Sequence, residues 1–520
     1  MRGEICASNR VKWKAGVNDM DLQSWKKLAR ELKPCGDAII NGKAVAAKSG
    51  EVFDSLNPAT GEVIAQVAAC GDVDIDLSVR AARMAFDDGR WSGRSPAERK
   101  GVLSKLSQLI VAHRDELALL ESLDMGKPIR DALAIDIPGA ANAFAWHAEA
   151  IDKVYGEIAP TARSSLALVS REPVGVVGAV VPWNFPLLMA CWKVAPALAT
   201  GNSVILKPAE QSSLTAIRLA ELALEAGLPE GVFNVTPGYG GVAGKALGLH
   251  DDVDCLTFTG STAVGAMFLE YAARSNLKQV SLETGGKSPH IVFADCSDIE
   301  RAAQAVAFGI FFNQGEVCNA GSRLLVEAGV KDRLMRGVLA HAAQLQPGDP
   351  LDVRTRMGAM VDDRHCDRVM EFIGAGLSEG ARIVTGGQRA TVAGRGSFIQ
   401  PTVFDGVTPN MTIAREEIFG PVLSVMTFES EAEAVRLAND SRYGLAADVW
   451  TASLDRAHRM ARALRSGLVW VNCYDVGDMS VPFGGVKQSG FGGRDRSLHA
   501  FDQYTQLKTT WIRINDKAQA

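Results

Sequence analysis

What this 520-residue sequence lacks narrows its function first. The most apolar stretch of its first half, Val174 to Val181, is far short of the roughly 20 residues a membrane-spanning helix needs. The N-terminus mixes Arg2, Glu4, Arg10, Lys12 and Lys14 with Asp19 and Asp21, and it has no apolar segment of the signal-peptide kind. A cytoplasmic protein with no membrane contact is expected. Nine cysteines form no CxxC pair and eight histidines no HxH or HxxH pair, which argues against a disulfide framework and against a bound metal. A basic excess is missing too: 55 Lys and Arg stand against 60 Asp and Glu, net −5, with no clustering. That excludes the electrostatic footprint of a nucleic-acid binder and leaves a small molecule as the expected partner.

What is present is ordinary globular composition, 47% hydrophobic and 22% charged, in a chain too long for one core. Residues 1–35 read as a weakly specified leader with one amphipathic helix around Leu22–Leu32. Ala38–Asn41 and Val52–Leu56 read as short strands. Helices follow over Asp74–Phe86 and, as one continuous stretch, Ser95–Leu123, whose Val102, Leu103, Leu106, Leu109 and Ile110 share a face. From Val174 strands and helices alternate. Strands are expected at Val174–Val181, Ser203–Lys207, Val232–Val235, Cys255–Phe258 and Gln279–Leu282, with a helix between Ser212/Ser213 as cap and Gly227 as stop. Such alternation predicts a parallel α/β sheet of nucleotide-binding type. A second α/β series runs from Ile291 to about Val471, and Thr505–Ile514 looks like a terminal strand in need of an edge.

Five motifs fall where open α/β sheets bind ligands, and each admits a plainer reading by itself. Gly238-Tyr-Gly-Gly-Val-Ala-Gly244 misses the dinucleotide spacing by one residue and could be a tight turn. Gly260-Ser-Thr-Ala-Val-Gly265 opens a helix, whose unpaired N–H groups and dipole suit pyrophosphate; an unliganded cap fits equally. Lys207-Pro-Ala-Glu210 ends a strand; Glu210 could accept ribose hydroxyls and repel a 2′-phosphate, or be half of a surface ion pair. Glu283, in Glu283-Thr-Gly-Gly-Lys-Ser-Pro289, could be a general base in a cleft or a turn acid. Asn184, in Pro182-Trp-Asn-Phe-Pro186, offers an amide held for an oxyanion or an ordinary turn residue. Cys318 stands out among nine cysteines because its loop, Phe311 to Arg323, is polar and glycine-rich; Cys191, Cys255 and Cys473 fit apolar elements.

In this order, and with Glu416-Glu-Ile-Phe-Gly-Pro421 and Pro482-Phe-Gly-Gly-Val-Lys-Gln-Ser-Gly490, these motifs closely resemble the aldehyde dehydrogenase superfamily over about residues 36–514. The resemblance implies NAD(P)-dependent oxidation of an aldehyde to a carboxylic acid through a thioester on Cys318. Asn184 and the Cys318 N–H would hold the oxyanion, Glu283 would activate water, and Lys193 would assist electrostatically. NAD, with NADP possible, would contact Trp183, Lys207, Glu210, Gly238, Gly240, Gly260, Ser261, Gly265, Glu417 and Phe419. The implied fold has a Rossmann-like cofactor domain (36–153 and 172–285), an α/β catalytic domain (286–490) and a small β oligomerisation arm (154–171 and 503–516). In that arm, Thr505–Ile514 would pair with a neighbouring subunit, giving a homo-oligomer, dimer or tetramer.

Within the superfamily, Ala148 to Glu157, Asp478 to Gly490 and Arg494 to Ala500 are similar to bacterial γ-glutamyl-γ-aminobutyraldehyde and 4-guanidinobutyraldehyde dehydrogenases. The chain departs from them at Val486, where they carry an aromatic residue, and at Cys473, where they carry Asn. By resemblance Phe185, Met189, Trp192, Val317 and Phe483 would line the aldehyde tunnel, with Asp475 and Asp478 at its entrance. Two acids there suit an ammonium or guanidinium tail, aided by aromatic faces worth about 0.5–2 kcal/mol; solvated loop charges are the alternative. An ω-aminoaldehyde from polyamine or arginine breakdown is expected, with a broad-specificity aliphatic or aromatic aldehyde dehydrogenase as the alternative. Glu283 argues against a coenzyme-A-acylating relative, and the intact set of Cys318, Asn184 and Glu283 against a non-catalytic one.

Overall fold

The computed structural model describes residues 20–514, so most of the leader and the last two residues of the expected arm lie outside it. Two sheets dominate. The first has eight strands, in the order Lys43–Val45, Ala38–Ile40, Phe233–Val235, Ser203–Lys207, Val176–Val180, Cys255–Thr259, Gln279–Glu283 and Gly490–Phe491. Its central five strands are parallel, while the edges pair antiparallel. All five residues of Val176–Val180, of Ser203–Lys207 and of Cys255–Thr259 are buried, because helices cover both faces of a parallel sheet. The chain winds outward from Val176–Val180 on one side and then returns to its other side with Cys255–Thr259. That reversal is where open sheets of this kind bind ligands, at the carboxyl ends of the strands.

The second sheet has the order Arg382–Thr385, Thr402–Asp405, Val422–Phe428, Arg323–Glu327, Pro289–Val292, Ala446–Trp450 and Leu468–Val471. All its pairings are parallel except that of Arg382–Thr385 with Thr402–Asp405. Thr284 to Ser288 connects the end of Glu283's strand directly to the start of Pro289–Val292. The carboxyl edge of the first sheet therefore meets the amino edge of the second.

Two expectations need correction, and the terminal strand adds a detail. The stretch Ser95–Leu123 is two helices, Pro96–Ala112 and Arg114–Met125, broken at His113 (φ −100°, ψ 21°). Neither Gly nor Pro marks the break; instead Glu116 draws His113 (2.7 Å) and Arg218 (2.9 Å) together. The helix Leu214–Ala226 ends on Gly227 in the left-handed region (φ 100°), as expected, but Ser213 does not cap its start. The Ser213 hydroxyl donates back to the Ala209 carbonyl (2.9 Å), and buried Asp124 takes the Leu214 N–H (2.9 Å). Finally, the terminal strand Thr505–Arg513 pairs with Ser165–Pro173 of its own chain over nine residues, with Glu157–Ala159 beyond. Its other edge has no partner strand among the described residues. No helix among the described residues is long and apolar enough to cross a membrane.

Candidate active site

Between the two sheet edges lies a cavity of about 420 Å³. Cys318, Asn184 and Glu283, which are up to 134 residues apart in sequence, all line it. Asn184 leaves the first sheet after Val176–Val180 and is almost wholly buried, 4% exposed. Its side-chain Nδ2 donates to the Glu316 carbonyl (2.9 Å), two residues before Cys318. Asn313 locks the same corner by donating to the carbonyls of Asn184 (3.1 Å) and Glu316 (3.2 Å). The amide is fixed by these bonds rather than by the flanking prolines. One of its two N–H donors remains for the cavity.

The Glu283-Thr-Gly-Gly sequence has a steric cause. A Cβ on Gly286 would stand 2.2 Å from the Cys318 carbonyl oxygen, and one on Gly285 2.0 Å from a Glu417 carboxylate oxygen. Only glycine lets the crossing strand pass under both groups. Glu283 sits at the same junction and accepts from the Gly485 N–H (3.3 Å). Burial raises its pKa well above the ordinary carboxylate range; Asp495 raises it further and Lys193 opposes. Burial also pushes the Cys318 thiol up to about 12, with Glu417, Glu283 and Asp475 adding to the effect. The resting thiol is therefore protonated at neutral pH. Cys191 and Cys255, by contrast, are fully buried within their elements and do not line this cavity.

The opposite end of the cavity suits a dinucleotide. Gly260 and Ser261 line it at the start of helix Thr262–Ala273, where Ser261 caps by accepting from the Val264 N–H (3.3 Å). Thr259 turns a buried hydroxyl into the same wall with no partner among the described residues. Glu417 accepts from the Gly286 N–H (2.9 Å), and its carboxyl is pushed up to about 7 by burial. Phe419 is held in the left-handed region (φ 59°), where its carbonyl accepts from His365 Nε2 (2.6 Å) and its ring meets Trp183 edge-on at 5.3 Å. His365 was not legible in the sequence. Lys207 and Glu210 form an ion pair (3.2 Å) beyond the cavity wall, with Glu210 the more exposed partner. Gly238, Gly240 and Gly265 also stand outside the wall. A Cβ on Gly238 would strike the Cys70 carbonyl oxygen at 2.6 Å, whereas Gly240 has open space.

The sequence matches the aldehyde dehydrogenase family over residues 44–510. This chain belongs to the aldehyde dehydrogenase family. It is 54% identical over 498 residues to the NADP/NAD-dependent aldehyde dehydrogenase PuuC of Escherichia coli (strain K12), covering 96% of this chain and 100% of the relative. Two solved structures superpose with a TM-score of 0.94 at 56% identity, each covering 95% of this chain and 100% of the other. One is the indole-3-acetaldehyde dehydrogenase AldA of P. syringae in complex with NAD+ and IAA; the other is γ-glutamyl-γ-aminobutyraldehyde dehydrogenase of Burkholderia cenocepacia J2315. The protein is an NAD(P)-dependent oxidoreductase of aldehydes with the family's α/β fold.

At the aldehyde dehydrogenase's substrate end, Phe185, Met189, Trp192, Val317 and Phe483 all line the cavity. Asp475 does as well, its carboxylate accepting from Asn319 Nδ2 (2.9 Å). Asp478 does not: it is exposed and spends its carboxylate on the Ser480 N–H (2.8 Å), a local turn bond. Lys193 lies behind the wall, ion-paired with buried Asp495 (2.8 Å). The aromatic faces expected to greet a cationic tail are already taken. Arg496 lies 4.9 Å from the Trp192 ring and 4.8 Å from that of Phe483.

Proposed function

We propose that Cys318, Asn184 and Glu283 are the catalytic set, and that the physiological substrate is an ω-aminoaldehyde. The observation that carries the first claim is their meeting on one buried cavity across the two sheet edges. NAD, when bound, supplies a hydride acceptor; Gly260 and Ser261, Glu417 and Phe419, Trp183 and the Lys207–Glu210 pair would hold it. The chain's own work begins at sulfur. Cys318 Sγ passes its proton to water and bonds to the aldehyde carbon, while the second Asn184 N–H and the Cys318 backbone N–H stabilise the oxyanion. Oxidation leaves a thioester on Sγ. Glu283, whose raised pKa makes it a strong base once ionised, then takes a proton from water; the hydroxide displaces sulfur and releases a carboxylic acid. Lys193 favours the ionised form of Glu283 from behind the wall, against the larger opposing effect of its ion-pair partner Asp495.

The aminoaldehyde reading rests on the Asp475 carboxylate in the wall and on relatives with 54–56% identity, among them one named for γ-glutamyl-γ-aminobutyraldehyde. Steady-state kcat/KM decides it. We expect γ-glutamyl-γ-aminobutyraldehyde or another aminoaldehyde to outrun hexanal and propanal, and the reverse order refutes the reading. We also propose a homo-oligomer built on the sheet Glu157–Ala159, Ser165–Pro173 and Thr505–Arg513, with cofactor and catalytic units at 36–153 with 172–285 and at 286–490. Supporting this, Thr505–Arg513 keeps one open edge, and Ile158, Leu507 and Trp511 stand 72%, 66% and 65% exposed. Light scattering that gives a monomer mass would refute it.

A further inference from the structure

Arg496 is a cation of the substrate wall whose charge is stabilised only at a distance, by Asp495, Asp475 and Asp478. Its guanidinium makes no hydrogen bond or ion pair among the described residues, and its Nε is buried without a partner. Of the nearby carboxylates, Asp495 is committed to Lys193 (2.8 Å) and Asp478 to the Ser480 N–H (2.8 Å), while Asp475 spends one oxygen on Asn319 (2.9 Å) and keeps the other for the cavity. The rings of Trp192 and Phe483 hold the planar group at 4.9 and 4.8 Å, and Gly477 makes room, since a Cβ there would lie 3.0 Å from Nη1. Its donors are thus left for the cavity. A guanidinium resting against two rings with its donors unspent can grip a carboxylate through two parallel bonds.

We propose that Arg496 determines specificity by binding a carboxylate at the far end of the aldehyde. The preferred substrate then carries an α-amino-acid head, its carboxylate on Arg496 and its ammonium toward Asp475, and a guanidinium tail is rejected by like charge. This rests on the aminoaldehyde reading above and divides its two named substrates, favouring γ-glutamyl-γ-aminobutyraldehyde over 4-guanidinobutyraldehyde.

The test compares γ-glutamyl-γ-aminobutyraldehyde with the analogue whose α-carboxylate is a carboxamide, on wild type, Arg496→Gln and Arg496→Lys. Wild type should prefer the acid by about 10- to 100-fold in kcat/KM, carried by KM, as a charge-assisted bidentate contact implies. Arg496→Gln should bring the ratio to about one, and Arg496→Lys, which keeps the charge without the fork, should restore part of it. Should the variants not fold, the wild-type ratio decides alone. A wild-type ratio near one, or faster turnover of 4-guanidinobutyraldehyde, overturns the inference while leaving the aminoaldehyde reading intact. Hexanal outrunning every aminoaldehyde overturns that reading instead, whatever the ratio.

Discussion

Asn184→Ala is the substitution that isolates the oxyanion contact. Asn184 has two side-chain N–H donors, and one is spent on the Glu316 carbonyl at 2.9 Å. Alanine removes the other from the cavity. The corner itself should survive, because Asn313 still donates to the Glu316 carbonyl at 3.2 Å and to the residue-184 carbonyl at 3.1 Å. The loss should then fall on the transition state, where a preorganised donor meets charge that is absent in the ground state. Loss of one such donor costs about 100- to 1000-fold in kcat, about 2.7–4 kcal/mol. The assay is NADH formation at saturating cofactor and aldehyde, beside thermal unfolding of the same preparation. A kcat within tenfold of wild type, or a loss confined to KM, would refute the oxyanion role. A collapse in melting temperature would mean instead that the bond to Glu316 carries the loop.

Other substitutions probe neighbouring parts of the account. Glu283→Gln should give one rapid turnover and then stall as acyl-enzyme, and normal steady-state hydrolysis would count against it as the base. Because burial raises the Glu283 pKa and only the ionised form accepts a proton, wild-type deacylation should still be speeding up as pH rises above the ordinary carboxylate range; a rate already flat or falling there contradicts the assignment. Glu210→Gln should raise the NADP-to-NAD ratio of kcat/KM by about tenfold, equivalent to about 1.4 kcal/mol of relieved repulsion. An unchanged ratio would remove Glu210 from the ribose. Gly286→Ala should displace Cys318, whose carbonyl the new methyl would meet at 2.2 Å, at a cost of about 1–3 kcal/mol. Activity lost together with melting temperature is the expected result, and an unperturbed enzyme would show that the loop can yield.

The first sheet and its motifs were legible because each rests on local chemistry. Buried strands of Val, Ile and Leu end in Pro182, Pro208, Gly260 or Gly285, and the reactive groups sit on those turns. What escaped notice depends on contacts distant in sequence. Arg496 is in the left-handed region (φ 63°) and stacks on Trp192, 304 residues away, so no spacing rule reveals it. His365 matters through a bond to the Phe419 carbonyl 54 residues off. Asp478 stands outside the cavity wall for a local reason, its carboxylate being taken by the Ser480 N–H two residues on. The helix break at His113 carries no breaker residue and coincides with the Glu116 bonds to His113 and Arg218, and buried Asp124 takes the Leu214 N–H that the Ser213 cap was expected to take.

Intact-mass spectrometry of Glu283→Gln, mixed with NAD and an aldehyde and quenched after one turnover, tests the central claim most directly. A mass gain equal to one acyl group, mapped to the peptide that contains Cys318, is the predicted result. No adduct on that peptide, together with turnover that survives alkylation of Cys318 in the wild type, would contradict it.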